Sequence, residues 1–232
     1  MSEATAIVTG GTRGFGRGIA EALGNHGYRV ITVARGAGAD IVADAAEPGL
    51  AERLVAEHDP AVVVLNAGAV PHTAALPDQT WETFSRPWEV DTRQAFEWCR
   101  AALRGPLQPG SLVVAVSSGA ALGGSPLSGG YAGAKAMVRF LARYADEEAA
   151  RAGLGIRFVA LLPGLSPGSA VGDAGAAAYA ARQGIDLEEF KARLGPVVTP
   201  EVIGDAIAGL AKAPAAADLA YTVSADGLTT LK

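Results

Sequence analysis

The sequence has 232 residues, half of them hydrophobic, which suits one sizeable α/β domain over residues 1–232 better than two small domains. Its formal net charge of −5, without a basic block, argues against nucleic acid as the main partner, and a single cysteine excludes an intrachain disulfide or a cysteine-based zinc site. The start lacks a basic signal segment and no apolar run reaches about 18 residues, so we expect a cytoplasmic protein with no membrane span and no metal site.

The first predicted element is a short, mostly apolar strand over residues 4–9, which leads directly into a glycine-rich loop and then a helix. A glycine motif indicates a nucleotide-binding loop when it follows a strand and opens a helix, as it does here. The glycines let the backbone approach a pyrophosphate closely, and the helix N-terminus supplies free N–H groups. We therefore predict cofactor binding here, the alternative being an ordinary glycine-rich turn. The predicted residues are Gly10, Thr12, Arg13, Gly14, Phe15 and Gly16.

The second predicted strand, residues 28–33, ends at a basic position. A dinucleotide without a 2′-phosphate is usually matched by an acidic residue here, about 20 residues beyond the glycine loop. This sequence has Arg35 instead, and Arg13 lies within the loop. Two guanidinium groups form charge-assisted hydrogen bonds with a 2′-phosphate, which favours NADP(H) over NAD(H). The alternative is that both arginines are solvated surface charges.

The third predicted strand, residues 40–43, follows the second after a linker of only a few residues. Parallel strands normally need a crossover of about a dozen residues or more, usually a helix. The sequence therefore predicts that one helix is missing and that an extended loop replaces it. Asp44 follows the strand and is predicted to bind the adenine amino group; alternatively, it caps the helix predicted over residues 48–58.

Residues 61–65 are apolar throughout, as is typical of a central parallel strand covered on both faces. Small residues follow this strand and would let a nucleotide lie against its end. These residues are Asn66, Ala67 and Gly68. Helices are then predicted over residues 79–84 and 88–103.

A further apolar strand, residues 112–116, delivers Ser118 to the same edge of the sheet. After a loop of glycine, serine and proline, a helix predicted over residues 131–151 opens with Tyr131 and carries Lys135 one turn later. Residues four apart on a helix share a face, so the phenol and the ammonium are expected to point to one place. A hydroxyl, a phenol and a cation that converge can transfer a proton. The alternative is that Tyr131 and Lys135 are merely an exposed helix pair.

The rest of the sequence completes an alternation of strands and helices that is typical of a doubly wound parallel sheet, the Rossmann arrangement, with about seven strands. A strand over residues 155–162 leads to Pro163 and Gly164, and residues 165–195 are interpreted as a substrate lid. Ligands of such sheets bind outside the carboxyl ends of the strands. The remaining predicted elements are helices over residues 176–183, 186–194 and 200–210 and a strand over residues 219–224.

These motifs resemble the short-chain dehydrogenase/reductase family over essentially the whole chain. The matching positions are Thr9, Gly10, Gly14 and Gly16 of the glycine motif, Asn66, Ala67 and Gly68, the catalytic set Ser118, Tyr131 and Lys135, and Pro163 with Gly164. The basic pair Arg13 and Arg35 resembles the members that prefer NADP(H). A lone glycine motif is weak evidence, whereas this ordered set is specific.

The resemblance implies an enzyme that transfers a hydride between the nicotinamide of NADP(H) and a small carbonyl or alcohol substrate. In that mechanism Ser118 binds the carbonyl oxygen and Tyr131 exchanges the proton. Lys135 favours the phenolate through its charge and holds the nicotinamide ribose. The family also implies a homodimer or homotetramer through helices around residues 88–103 and 131–151. The alanine- and glycine-rich lid favours a neutral, fairly apolar substrate.

Three features depart from the family pattern, one of them the missing helix. Asp91, which the resemblance places among the catalytic residues, replaces an asparagine that anchors a water chain in the family; Asp91 either holds water or pairs with Lys135. Gly168 replaces a threonine that orients the nicotinamide amide, and Ser166 or Ser169 is a candidate substitute. Two alternatives to an oxidoreductase therefore stay open: an NADP(H)-binding sensor or scaffold, and a non-redox reaction such as dehydration or epimerisation.

Overall fold

The structure is a computed structural model that describes residues 3–105, 107–213 and 219–231. This part of the chain contains an eight-stranded sheet whose first seven strands run parallel. The strands are β1 (Thr5–Thr9), β2 (Arg29–Ala34), β3 (Ile41–Val42), β4 (Val62–Leu65), β5 (Leu112–Val116), β6 (Arg157–Pro163), β7 (Ala220–Ser224) and β8 (Gly227–Thr230). Their spatial order, β3-β2-β1-β4-β5-β6-β7-β8, confirms the predicted doubly wound sheet.

Helices cover both faces of the sheet. The helices are α1 (Gly14–Asn25), α2 (Leu50–His58), α3 (Trp81–Pro87), α4 (Arg93–Arg104), α5 (Ala120–Gly123), α6 (Gly129–Arg151), α7 (Ala170–Gln183), α8 (Leu187–Leu194) and α9 (Pro200–Lys212). Helices α1 and α9 pack on one face, and α2, α4 and α6 pack on the other. Within residues 3–105, 107–213 and 219–231, no helix combines the length and apolar character that a membrane crossing requires.

The centre of the sheet is apolar because helices cover it on both sides. Every residue of β4 and β5 is buried, and successive side chains alternate between the two cores. Val63 packs with the core under α2 and α4, whereas Val64 packs with the core under α1 and α9. Full burial of each such side chain contributes about 1.5–3 kcal/mol to folding. These rigid strands fix the carboxyl edge on which the predicted site residues lie.

The connection between β2 and β3 lacks a helix, as the short linker predicts. A carboxylate closes this loop: Asp40 accepts hydrogen bonds from the Thr32 backbone N–H at 2.8 Å and from the Thr32 hydroxyl at 2.7 Å. These hydrogen bonds lower the pKa of Asp40 below its ordinary value. The strand that follows has two residues, Ile41 and Val42, and is shorter than the predicted 40–43.

The sequence predicts about seven strands, whereas the described part of the chain contains an eighth. Strand β8 pairs antiparallel with β7, so that Ser224 lies opposite Gly227 across a two-residue turn. Gly227 has φ +110°, a region that favours glycine. The Asp226-Gly227 pair is a known hairpin signal, although its apolar flanks are short.

Two helical details differ from the predicted pattern. A π-helical turn, Trp88–Thr92, lies between α3 and α4 where the sequence predicts one continuous helix over residues 88–103. Such turns often occur at functional sites because they redirect one side chain. Helix α6 begins at Gly129, two residues before the predicted start. The first turn of α6 packs closely against α3 at Gly130, where a Cβ would lie 2.0 Å from the Phe84 carbonyl oxygen.

Candidate active site

The carboxyl ends of β1, β2, β4, β5 and β6 open into one cleft of about 1270 Å³. The structure brings nearly all of the predicted site residues to its walls. Those that line it are Gly10, Thr12, Arg13, Gly14, Phe15, Arg35, Asp44, Asn66, Ala67, Gly68, Asp91, Ser118, Tyr131, Lys135, Pro163 and Gly164. Gly16 is the exception and lies buried behind the loop, where a Cβ would fall 2.1 Å from the Gly10 carbonyl oxygen.

The glycine loop is tied to the end of the neighbouring strand by one threonine. The Thr9 hydroxyl donates to the Val64 carbonyl at 3.2 Å and accepts from the backbone N–H groups of Asn66 at 2.9 Å and Ala67 at 3.1 Å. The Asn66 amide in turn donates to the Thr9 carbonyl at 3.1 Å. Gly10, at φ +66°, packs so closely that a Cβ would lie 2.9 Å from Ala67 Cα. The loop and the end of β4 therefore form one rigid floor.

The two arginines that line the cleft, Arg13 and Arg35, have no acidic partners among the residues that the structure describes. Arg13 precedes α1 and Arg35 follows β2; both are exposed and line the cleft. Neither forms an ion pair with any residue that the structure describes. Asp44 lines the same cleft, and its carboxylate accepts from the Ala46 N–H at 3.0 Å. The capping alternative for Asp44 is wrong, because Gly49 occupies the N-cap of α2.

The proposed catalytic set is assembled where β5 meets α6. Ser118 follows β5, and its Oγ accepts a hydrogen bond from the Ala120 N–H at 3.2 Å, which leaves its own hydrogen free to donate. Lys135 donates from Nζ to the Val116 carbonyl at 3.0 Å, and Nζ lies 5.7 Å from the centre of the Tyr131 ring. Lys135 is only 6% exposed, so the alternative of an exposed helix pair is wrong.

Asp91 completes this set from the π-helical turn. One carboxylate oxygen, Oδ1, accepts from the Ala69 N–H at 2.8 Å, and the other, Oδ2, forms an ion pair with Lys135 Nζ at 3.0 Å. The pairing that the sequence left open is therefore present. Burial by itself would lower the pKa of Lys135, but Asp91 and Tyr131 together outweigh burial and raise the pKa above the ordinary lysine value. Lys135 is thus held as an ammonium.

Sequence reasoning missed two buried polar residues that support this set. The Ser117 hydroxyl donates to the Lys135 carbonyl at 2.7 Å, which anchors α6 to the end of β5. The Gln94 amide donates to the Ala67 carbonyl at 2.7 Å and lines the cleft. A signal for Gln94 was its place three residues after Asp91 on the same helical face.

Three further hydroxyls line the cleft near the start of α6. Ser125 Oγ contacts Ser128 Oγ at 2.7 Å and makes a short hydrogen bond with the Tyr179 hydroxyl. Tyr179 belongs to α7, and its ring stacks on Phe190 of α8 at a centroid distance of 6.2 Å. This hydroxyl chain joins the predicted lid to the loop that precedes Tyr131.

The backbone at Gly168 is unfavourable for the threonine that the family has at this position. Gly168 has φ +98°, where a side chain would be strained, and its N–H donates to Asp173 at 2.8 Å. Ser169 caps α7 by accepting from the Gly172 N–H at 3.0 Å, and the Ser166 hydroxyl donates to the Gly164 carbonyl at 3.1 Å. Both serines line the cleft, so either remains a candidate substitute.

The sequence matches known families and proteins. A family model described as enoyl-(acyl carrier protein) reductase matches residues 10–227. The chain is 31% identical over 157 residues to versicolorin reductase 1 of Aspergillus parasiticus, covering 57% of this chain and 59% of that protein. It is 34% identical over 156 residues to a mycocerosic acid synthase-like polyketide synthase of Mycobacterium tuberculosis, covering 57% of this chain and 7% of that protein. The matches thus span less than two thirds of either relative.

Solved structures share the fold over nearly the whole chain. An actinorhodin polyketide ketoreductase variant with NADPH superposes with a TM-score of 0.82 at 25% identity and covers 96% of each chain. A short chain dehydrogenase from Mycobacterium avium superposes with a TM-score of 0.75 at 21% identity, covering 99% of this chain and 84% of that one.

Proposed function

Because the chain belongs to the short-chain dehydrogenase/reductase family, we propose that it is an NADP(H)-dependent oxidoreductase that acts on a carbonyl or alcohol. The observation that carries this proposal is the convergence of Ser118, Tyr131 and a buried Lys135 in one cleft. The cleft continues from these residues to the glycine loop, so a dinucleotide and a small substrate have room to meet there.

The residues at the ends of β1 and β2 suit a phosphorylated dinucleotide. Gly10 and Gly14 have φ values of +66° and +53°, a conformation that would be strained for residues with side chains. Arg13 and Arg35 line the cleft without acidic partners in the described part of the chain, so their charges are available to a 2′-phosphate. These features support NADP(H) rather than NAD(H).

The chain's own residues supply the proton chemistry. Bound NADPH supplies the hydride that a carbonyl carbon accepts. Ser118 donates its free hydroxyl hydrogen to the carbonyl oxygen and orients the substrate. Tyr131 gives its phenolic proton to that oxygen, and Lys135 stabilises the phenolate that remains. In the oxidative direction Tyr131 takes the proton back.

The substrate is proposed to be a small, neutral and fairly apolar ketone or alcohol. The lid region, residues 165–195, contributes small residues such as Val171 and Gly175 to the cleft, together with Tyr179. Lys and Arg residues of the lid lie outside the set that lines the cleft, so a charged substrate gains little there. The similarity to a polyketide ketoreductase supports a ketone of this kind.

A second copy of the chain is proposed to cover the outer face of α4 and α6. Phe96, Phe140 and Tyr144 are each about half exposed there, at 47%, 56% and 52%. A shallow apolar depression adjoins them and is lined by Trp88, Thr92, Arg93, Phe96, Met137 and Leu141. We expect a homodimer or homotetramer in solution, and sedimentation equilibrium measures the assembly directly. A monomer at micromolar concentration would contradict this part of the proposal.

The deciding experiment replaces the proposed proton donor. Tyr131→Phe should abolish NADPH-dependent reduction over a panel of ketones and enoyl thioesters while NADPH binding, measured by fluorescence, stays nearly unchanged. The control is Tyr144→Phe, which changes a tyrosine of the same helix that lies outside the cleft. This variant should reduce the substrates like the wild type.

The panel also separates the competing functions. Turnover of ketones that depends on Tyr131 supports the proposal, whereas turnover of enoyl thioesters alone would indicate reduction of a carbon–carbon double bond. Tight NADPH binding by the wild type without turnover of any substrate would favour a sensor. Substantial activity in Tyr131→Phe would show that the proton-donor assignment is wrong.

A further inference from the structure

The Asp91 carboxylate is enclosed, and both of its oxygens are engaged. Oδ1 faces the Ala69 N–H at 2.8 Å and Oδ2 faces the Lys135 ammonium at 3.0 Å, with the two ion-pair side chains 1% and 7% exposed. Gly68 closes the remaining side, since a Cβ there would lie 2.9 Å from Oδ2. An asparagine amide has one acceptor oxygen and would turn its NH₂ group toward one of these two donors. Two donors that face two acceptor oxygens suit a carboxylate better than an amide.

This carboxylate changes the charge that the tyrosine faces. The π-helical turn contributes Asp91 and α6 itself contributes Tyr131, and these are the ionisable groups that act on Lys135 within the described part of the chain. Strand β5 contributes only the uncharged Val116 carbonyl. Tyr131 therefore lies beside a neutral Lys–Asp pair. In general, an ammonium within about 4–6 Å of an acidic group favours its charged form by about one to three pH units, and pairing of that ammonium with a carboxylate weakens the effect.

We propose that Asp91 offsets part of the positive charge of Lys135 and thereby keeps Tyr131 in its proton-donating phenol form to higher pH. Asp91 is in this sense a positioning residue that extends carbonyl reduction toward alkaline pH. The proposal rests on the acid/base role of Tyr131 described above. The aspartate thereby has a function of its own: it weakens a positive charge that would otherwise favour loss of the Tyr131 proton before the substrate arrives.

The test compares two uncharged replacements, Asp91→Asn and Asp91→Ser, which differ in size and hydrogen bonding. In each, the alkaline limb of kcat/KM for ketone reduction should begin about one pH unit lower than in the wild type. Asp146→Asn is the matched control. Asp146 lies on α6, as Tyr131 does, but outside the cleft, and its carboxylate accepts from the Phe158 N–H at 3.0 Å. This variant should therefore keep the wild-type profile.

A second readout needs neither cofactor nor turnover. The near-ultraviolet absorbance of tyrosinate is titrated in the wild type, in Asp91→Asn and in each combined with Tyr131→Phe, so that subtraction isolates the signal of Tyr131. Its phenolate should appear about one pH unit lower when Asp91 is replaced. A merely structural role would lower the melting temperature of the variants and leave this difference signal where it is.

The outcomes are distinct from those for the proposed function. If Tyr131→Phe is inactive and the Asp91 variants show both shifts, the proposal stands. If Tyr131→Phe is inactive and a folded Asp91 variant keeps the wild-type limb and tyrosinate signal, the proposal is overturned and the oxidoreductase assignment survives. If Tyr131→Phe retains activity but replacing Asp91 still moves the tyrosinate signal, the oxidoreductase mechanism fails while the electrostatic effect of Asp91 stands.

Discussion

The Ser117 hydroxyl and the Lys135 backbone carbonyl form a buried 2.7 Å hydrogen bond that fastens α6 to the end of β5. Ser117→Ala removes that hydrogen bond from a carbonyl in the interior of α6, which should lower the free energy of unfolding by about 0.5–1.5 kcal/mol. The loss should also reduce kcat, because Lys135 and Tyr131 share the loosened turn. Urea unfolding and ketone reduction measure the two effects.

Ser111→Ala is the matched control for that prediction. Its hydroxyl is also buried, but Ser111 lies just before β5, at the opposite end of the strand, and donates to the Pro60 carbonyl over a longer 3.4 Å. We expect a smaller loss of stability and no change in kcat. Equal effects on kcat in the two variants would mean that the contact of Ser117 has no special bearing on the site.

The hydroxyl of Tyr179 is predicted to hold the lid in place. Tyr179→Phe removes the hydrogen bond to Ser125 and preserves the stacking on Phe190. Without this hydrogen bond, α7 should pack less firmly over the cleft. We expect KM for the ketone to rise by about three- to tenfold, with a smaller change in kcat. Steady-state kinetics checks this, and a KM within error of the wild type would contradict a lid role for α7.

Coenzyme preference is predicted to depend on the arginine after β2. Arg35→Ser should weaken NADPH binding by about 10- to 100-fold and leave NADH binding nearly unchanged, since only NADPH carries the 2′-phosphate. Arg29→Ser is the control, because Arg29 is exposed at the opposite end of the same strand. Isothermal titration with both coenzymes measures the difference. An equal loss of NADH binding would mean that Arg35 contacts a part of the cofactor other than the 2′-phosphate.

Packing behind the glycine loop gives a further prediction. Gly16→Ala would place a Cβ 2.1 Å from the Gly10 carbonyl and 2.4 Å from the Asn66 amide nitrogen, and neither can move freely. We expect a loss of about 3 kcal/mol of stability or more, together with loss of NADPH binding. Gly24→Ala, also in α1, faces open space and should instead stabilise the helix by about 0.5–1 kcal/mol. Thermal melts of both variants decide the point.

Local chemistry made much of this fold predictable. The fully apolar run that became β4 and the glycine loop after β1 are patterns that physical rules interpret without tertiary information. The short linker before β3 likewise predicted the missing helix. The order of the strands then placed Ser118 and Lys135 at one edge of the sheet without any further assumption.

The remaining features depend on contacts between residues distant in sequence. No local pattern joins Ser125 to Tyr179, which is 54 residues away. The π-helical turn that aims Asp91 inward is a backbone detail inside an otherwise helical pattern. The place of Gln94 three residues after Asp91 indicates its helical face, but only the structure shows that its amide donates to the Ala67 carbonyl. Tertiary packing alone distinguishes these residues from their neighbours.

The lengths of β3 and β8 have a consequence for how copies of the chain meet. Each outer strand of the sheet is short, two residues at β3 and four at β8, so neither offers a long row of unpaired N–H and C=O groups. Long free edges are where sheets of neighbouring molecules add strands and aggregate. This sheet has little capacity for such growth, so the association that we propose between copies would use the helical surface of α4 and α6.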